Sequence, residues 1–210
     1  MTTTELEAKK TKKSDSTVDR IIDAAEELFA KKSYEGTTLR EIAKKVGIRE
    51  PSIYAHFANK EAIYGAVIDR ALLPFYNEIN DWNKTDLSLR DLFDIPRRLL
   101  QLHADHPYSA QILHKEFTSP ADQISPKMLS WLDQISEQSQ FFMAGLPENE
   151  YTKIDKKKVA VTTVTLTNMT LGFFSSQGML QQLLGDEYNH DELYEENLKI
   201  ITRIFKSLLL

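Results

Sequence analysis

Thr38–Lys60 reads TLREIAKKVGIREPSIYAHFANK, and the fold turns on this stretch. Leu39, Ile42, Ala43 and Val46 fall at helical spacing, and Gly47 stops the run. Ile48, Arg49 and Glu50 follow, then Pro51 opens a second, very short run ending at Phe57. Two helices joined by a tight turn containing glycine are the sequence image of a helix-turn-helix. In the second helix Ile53 and Phe57, four apart, are expected to face inward, and Ser52, Ala55 and His56 outward. That outer face is small and polar, which suits a helix entering the major groove of DNA.

The totals bound what surrounds this unit. With 210 residues, 41% of them hydrophobic, the chain can form one compact domain or a small head with a larger body. Glycine and proline number seven each and β-branched alternation is scarce, so an all-α protein is expected. Cysteine is absent, which excludes disulfides and thiol ligands. Met1 to Thr4 lacks the layout of a signal peptide, and no apolar run is long enough to span a bilayer. The expectation is a soluble, cytoplasmic protein with no membrane partner. The net charge of −5 divides unevenly, +1 over residues 1–70 and −6 over the rest. A charge-balanced head can still bind DNA where its basic residues cluster on one face.

Along the chain, residues 1–15 read as a disordered tail with Lys9, Lys10, Lys12 and Lys13, or as a basic arm touching DNA. A first helix is expected over Val18–Lys32, with Ile21, Ile22, Ala25, Leu28 and Phe29 on its buried stripe. Thr38 and Glu41 form a capping box for the next helix, whose N-terminus is expected to offer free amides to a phosphate. Asn59 can cap a long helix reaching to about residue 79, with Pro74 placed to kink or end it. The head is thus 16–62, the long helix is its connector, and 63–210 form the body. There the pattern predicts helices over Leu87–His103, Tyr108–Phe117, Pro126 to about Met143, Asp155–Leu184 as one long apolar helix, and Asp191–Leu208.

The residues from Arg20 to Ile63 resemble the DNA-binding head of TetR/AcrR-type transcriptional regulators. The resemblance is carried by Ile22, Ala24-Ala25, Leu28-Phe29, Tyr34, Thr37-Thr38, Ile42-Ala43, Gly47-Ile48, Ile53-Tyr54, His56-Phe57, Lys60-Glu61 and Ile63. It implies an N-terminal helix-turn-helix head of three helices and a larger helical bundle for ligand binding and dimerisation. It further implies that Thr38, Tyr54 and Lys60 anchor phosphates, while Arg49, Ser52, Ala55 and His56 occupy the groove-facing surface. Three positions depart from the family pattern. Ser33 stands where glycine is usual, Val46 where alanine is common, and Arg49 where a small hydroxyl residue is common. Glu50 is either a reader of a cytosine amino group or a turn residue, solvated or paired with Arg49.

A single short reader makes few contacts, so a homodimer on a near-palindromic double-stranded operator is expected. Val159 to Leu184 is apolar on more than one side, so one face can meet a partner. With the last helix it gives a candidate dimer interface of Val161, Thr165, Gly172, Ser176, Leu180, Ile201, Ile204 and Leu208. A candidate pocket for a small apolar or aromatic effector comprises Phe93, Phe117, Met128, Trp131, Phe141, Met169 and Phe173, though the same side chains suit a helical core. His103, His106 and His114 invite a metal reading, but no cysteine or spaced carboxylate completes a set, and neither metal nor cofactor is expected. The chain carries no nucleophile elbow, P-loop or dinucleotide fingerprint, which argues against an enzyme. The functional expectation is a ligand-released dimeric repressor. Its alternative is an all-helical protein-interaction adaptor without operator binding.

Overall fold

The computed structural model describes the backbone of residues 16–82, 89–145 and 156–209, and their side chains except at 79–82, 89, 92, 138–145, 156, 158–159 and 208–209. The basic tail, Phe141 and the side chain of Leu208 therefore lie outside the described residues. The described elements are helical throughout: α1 (Thr17–Lys32), α2 (Leu39–Val46), a 3-10 helix (Glu50–Ala55), α3 (Lys60–Trp82), α4 (Leu89–Asp105), α5 (Pro107–Thr118), α6 (Pro126–Gly145), α7 (Lys156–Ser175), α8 (Gln177–Leu184) and α9 (His190–Leu209). No helix among the described residues is long and apolar enough to cross a membrane. Two compact units result, Met1–Val67 and Ile68–Leu210, with α3 contributing residues to both.

In the first unit, α1 starts where Ser16 accepts the amide of Asp19, with the Asp19 carboxylate favourably placed in the first turn. It buries Ile21, Ala24, Ala25, Phe29 and Ala30. Ile22 and Leu28, expected on this stripe, are only half-buried. α2 buries Ile42, Ala43 and Val46, and Gly47 ends it at φ 79°, where a residue with a Cβ is strained. α2 packs between α1 and the 3-10 helix, and Ile53, Ile63 and Val67 complete the core.

The turn between α1 and α2 is unusually tight. A Cβ on Gly36 would lie 2.2 Å from the Lys32 carbonyl oxygen, so only glycine fits. Ser33 adopts φ 71° and ψ 170°, a conformation essentially reserved for glycine. This accounts physically for the glycine usual at that position. The Ser33 carbonyl accepts the Thr37 hydroxyl at 2.8 Å, a bond that glycine would keep.

In the second unit, α7 is the central helix, packed against α4, α5, α6 and α9. Leu166, Leu171, Phe173 and Phe174 of α7 are buried, as are Leu100 of α4, Ile112 and Leu113 of α5, Met128 and Trp131 of α6, and Ile201 and Phe205 of α9. Buried Thr170 satisfies its hydroxyl on the carbonyls of Leu166 and Thr167.

Three sequence expectations are corrected here. The helix expected to run unbroken to Leu184 divides at Ser176, within a local run of two serines and a glycine that favours helix weakly. Pro74 does not end α3, which continues to Trp82, and Pro96 is likewise inside α4. The second helix of the helix-turn-helix is a 3-10 helix over Glu50–Ala55; His56 is its C-cap and Phe57 lies beyond it, half-buried.

Two outcomes follow from these local conformations. Ser33→Gly relieves the strained backbone and should stabilise the chain by about 1 kcal/mol, or roughly 2–4 °C in the thermal midpoint; an unchanged or lower midpoint contradicts the strain. His103, 2% exposed in α4, is held by burial at a pKa of about 3, against an ordinary 6.5. The unfolded chain takes up that proton as pH falls through 6.5, whereas the folded chain does so only near 3. Stability is therefore lost as pH falls across that window, and chemical denaturation of His103→Phe should show a flatter decline there.

Candidate nucleic-acid interface

The reader is held on one side and open on the other. Ile53 is fully buried, worth about 2–3 kcal/mol of transfer free energy, and it fixes the 3-10 helix to the head. The amide of Ser52 donates to the Arg49 carbonyl, and the amides of His56 and Phe57 both donate to the Ile53 carbonyl at 2.9 Å. At the ~2 Å rise of a 3-10 helix, the six residues span only ~12 Å. Ser52, Tyr54, Ala55 and His56 are all exposed, Tyr54 at 56%. Arg49, in extended conformation at the N-cap, is exposed, and its guanidinium has no partner among the described residues. Glu50 is half-buried in the first turn and does not pair with Arg49.

Charge is sorted across the head. Glu27 of α1 holds Lys31 at 2.8 Å and Lys45 at 2.9 Å, and these two lysines keep its carboxyl below the ordinary range. Lys32 pairs with Glu41 at 2.7 Å. The guanidinium of Arg20 donates to the Val46 carbonyl, closing the end of α2. The side chains of Arg40, Lys44 and Arg49 are exposed and have no partner among the described residues. Arg40 and Lys44 are four apart and share a face of α2. Sequence reading passed over this pair, although their spacing was the available signal.

The start of α2 is occupied by its own side chains. Glu41 accepts the Thr38 amide and hydroxyl, both at 2.9 Å, and the Thr38 oxygen accepts the Glu41 amide at 3.3 Å. Lys32 first, then Thr38, bring the Glu41 pKa down to about 2. The expected capping box is present: it takes the amides of Thr38 and Glu41, leaving those of Leu39 and Arg40.

Lys60 has a role that spacing did not reveal. Its Nζ donates to the carbonyls of Tyr34 at 2.8 Å and Thr37 at 3.1 Å, and lies 4.2 Å from the Tyr34 ring centroid. Tyr34 in turn packs on Phe29 and Tyr64, and Thr37 is fully buried. The lysine therefore holds the 33–37 turn that delivers Thr38 to the start of α2. Asn59 caps α3 beside it by accepting the Ala62 amide at 2.8 Å.

The body residues singled out by sequence do not form one group. Trp131 and Phe117 meet edge to face at 6.0 Å, Met128 is fully buried, and Met169 is half-buried. Phe173 contacts Phe174, His190 and Tyr194. Phe93 instead borders an open depression with Arg90, Asp91, Asp94 and Arg97, a charged setting unlike the aromatic one. Of the expected interface residues, Val161 is 66% exposed and Ile204 36%, with Thr165, Ser176 and Leu180 half-buried. Ile201 is 1% exposed and packs into its own body, so it cannot meet a partner in this conformation; the outward face of α9 is one residue away, at Ile200 and Ile204. Gly172 lies towards His114 of α5, whose Nε2 would be 3.9 Å from a Cβ there. Among the described residues no cluster of three or more His, Asp or Glu side chains is placed to hold a metal ion.

Comparison with known proteins meets this geometry. A family model described as bacterial regulatory proteins, tetR family, matches residues 21–67. The IcaR negative transcriptional regulator of the icaADBC biofilm operon of Staphylococcus epidermidis is 30% identical over 115 residues, covering 51% of this chain and 62% of that protein. Its Staphylococcus aureus counterpart is 37% identical over 95 residues, covering 40% and 50%. The chain thus spans less than two thirds of the length of these curated relatives. Among solved structures, the fatty acid degradation regulator FadR of Bacillus halodurans superposes with a TM-score of 0.65 at 18% identity, covering 94% of this chain and 97% of that one. SmeT, the repressor of the Stenotrophomonas maltophilia efflux pump SmeDEF, gives 0.62 at 17%, covering 92% and 90%. At such identities the likeness shows a shared fold. Over residues 21–67, the head is similar to the tetR family of bacterial regulatory proteins.

Proposed function

We propose that the chain is a dimeric, sequence-specific DNA-binding repressor that leaves its operator when a small molecule occupies the body. The observation that carries the reading is the exposed face of the 3-10 helix, small and polar over a buried Ile53, together with Arg40, Lys44 and Arg49 of the same helix-turn-helix, whose side chains are exposed and have no partner among the described residues. Ser52, Ala55, His56 and Arg49 face the groove, and Thr38 and Tyr54 meet phosphates. Phosphate contacts supply affinity and register, while contacts to base edges supply sequence preference. Lys60 acts chiefly within the head, because two of its three N–H groups are committed to carbonyls.

Dimerisation is assigned to an apolar surface shared by three helices. Val161 and Val164 of α7, Met179 and Leu183 of α8, and Ile200 and Ile204 of α9 are exposed, Leu183 at 72%. α7 packs on both α8 and α9, so these side chains belong to adjoining elements, and a second copy of the chain would cover them. Two heads on one duplex require half-sites about one helical turn apart, which makes the spacing of the heads decisive. An effector releases DNA only by favouring the body conformation that mismatches that spacing. A change in the body can reach the head through α3, which belongs to both units.

Titration of operator DNA at several salt concentrations tests these roles. Tyr54→Ala should weaken binding by a similar factor on every sequence, and Arg49→Ala should alter base preference. Lys60→Met should lower the thermal midpoint and the affinity while leaving the slope of log K against log salt unchanged. A slope reduced by about 0.9 would instead make Lys60 a phosphate anchor. Leu183→Glu combined with Ile200→Glu should give a folded monomer by sedimentation, with operator binding lost. A dimer surviving both changes places the interface elsewhere.

A further inference from the structure

The body contains an aromatic cluster with two buried polar groups that the protein leaves unanswered. His103 of α4 is 2% exposed, and neither ring nitrogen has a hydrogen-bond partner among the described residues. Trp131 of α6 is 4% exposed, and its indole Nε1 has none. Both rings flank Phe75 of α3, at 5.2 Å and 5.9 Å between centroids. Phe174 of α7 closes on His103 at 6.1 Å, and Phe117 of α5 on Trp131 at 6.0 Å. Leaving a buried polar group unpaired costs about 1–3 kcal/mol, so two around one phenylalanine demand an explanation.

We propose that His103 and Trp131 are the polar contacts of an effector site in this cluster, which takes an uncharged, largely apolar or aromatic molecule carrying a hydroxyl or carbonyl oxygen. The proposal rests on the ligand-responsive reading of the body. A neutral imidazole offers one donor and one acceptor, and the indole offers one donor. An oxygen between the rings can accept from the indole, and a hydroxyl can also donate to the imidazole. Burial keeps the imidazole uncharged, and the surrounding rings of Phe75, Phe117 and Phe174 bring no counter-charge. Glu116, buried beside Phe117, has a carboxylate oxygen committed to the Ser125 amide at 2.9 Å. A carboxylate ligand would be desolvated against aromatic faces without compensation. The cluster is assembled from α3, α4, α5, α6 and α7, so occupancy bears directly on Phe75 of α3.

Calorimetric titration of the full chain with 2-naphthol, naphthalene and 2-naphthoate tests this site. The native chain should bind 2-naphthol at least tenfold more tightly than either of the others. His103→Phe and Trp131→Phe should each reduce that preference to less than threefold while retaining naphthalene binding. Absence of binding, equal binding of naphthol and naphthalene, or a preference that survives in both variants overturns the proposal. Should a variant lose its fold, the imidazole nitrogen resonances of the native chain decide: those of His103 must move with 2-naphthol and stay in place with naphthalene, and any other result overturns it. Failure of the repressor reading is seen separately, as absence of specific operator binding, and leaves the naphthol preference unaffected.

Discussion

The ammonium of Lys60 sits against the Tyr34 ring and donates to the carbonyls of Tyr34 and Thr37, and the geometry of the head depends on it. The 33–37 turn it holds is strained at Ser33 and closed at Gly36, where a Cβ would strike the Lys32 carbonyl. Such a turn persists only when its surroundings over-determine it. Here Lys60, the buried Thr37 and the Phe29–Tyr34–Tyr64 stack together supply that determination. What the turn secures is the register of Thr38, hence the capping box, hence the direction in which α2 presents the 3-10 helix.

Much of this head was legible in the chain because its signals are local. Thr38 and Glu41 at capping-box spacing, Gly47 after the last apolar position and Asn59 before α3 each decide an element boundary within a few residues, and each does so in the structure. Lys60 was read as a phosphate anchor, and its hold on the turn was missed because its partners lie 23 and 26 residues away, a separation no local pattern encodes. The choice of 3-10 over α geometry for six residues was equally hidden, since both place Ile53 inward.

The body was legible as helices and much less so as faces. An apolar helix names what is buried without saying against what, and helical spacing leaves the exact edge of a buried face open. Ile200 and Ile201 show the consequence: adjacent, equally apolar residues, one half exposed and one sealed in the core. His103 was weighed in sequence only as a metal ligand, and set aside, because a histidine in sequence does not show the aromatic rings around it. Its isolation becomes apparent only when α3, α4 and α7 converge.

The head and body divide the work by chemistry. Among the described residues, the head pairs Lys31, Lys32 and Lys45 with carboxylates and leaves the side chains of Arg40, Lys44 and Arg49 without partners; the aromatic cluster of the body leaves the polar groups of His103 and Trp131 unmet. The central claim is that the open face of the 3-10 helix reads duplex DNA as one half of a pair. Selection of binding sites from a random duplex library by the full chain, followed by sequencing, tests it most directly. The account predicts enrichment of a near-palindrome whose half-sites are centred about one helical turn, or a related distance, apart. Enrichment of no sequence, or of a single unpaired half-site, would contradict it.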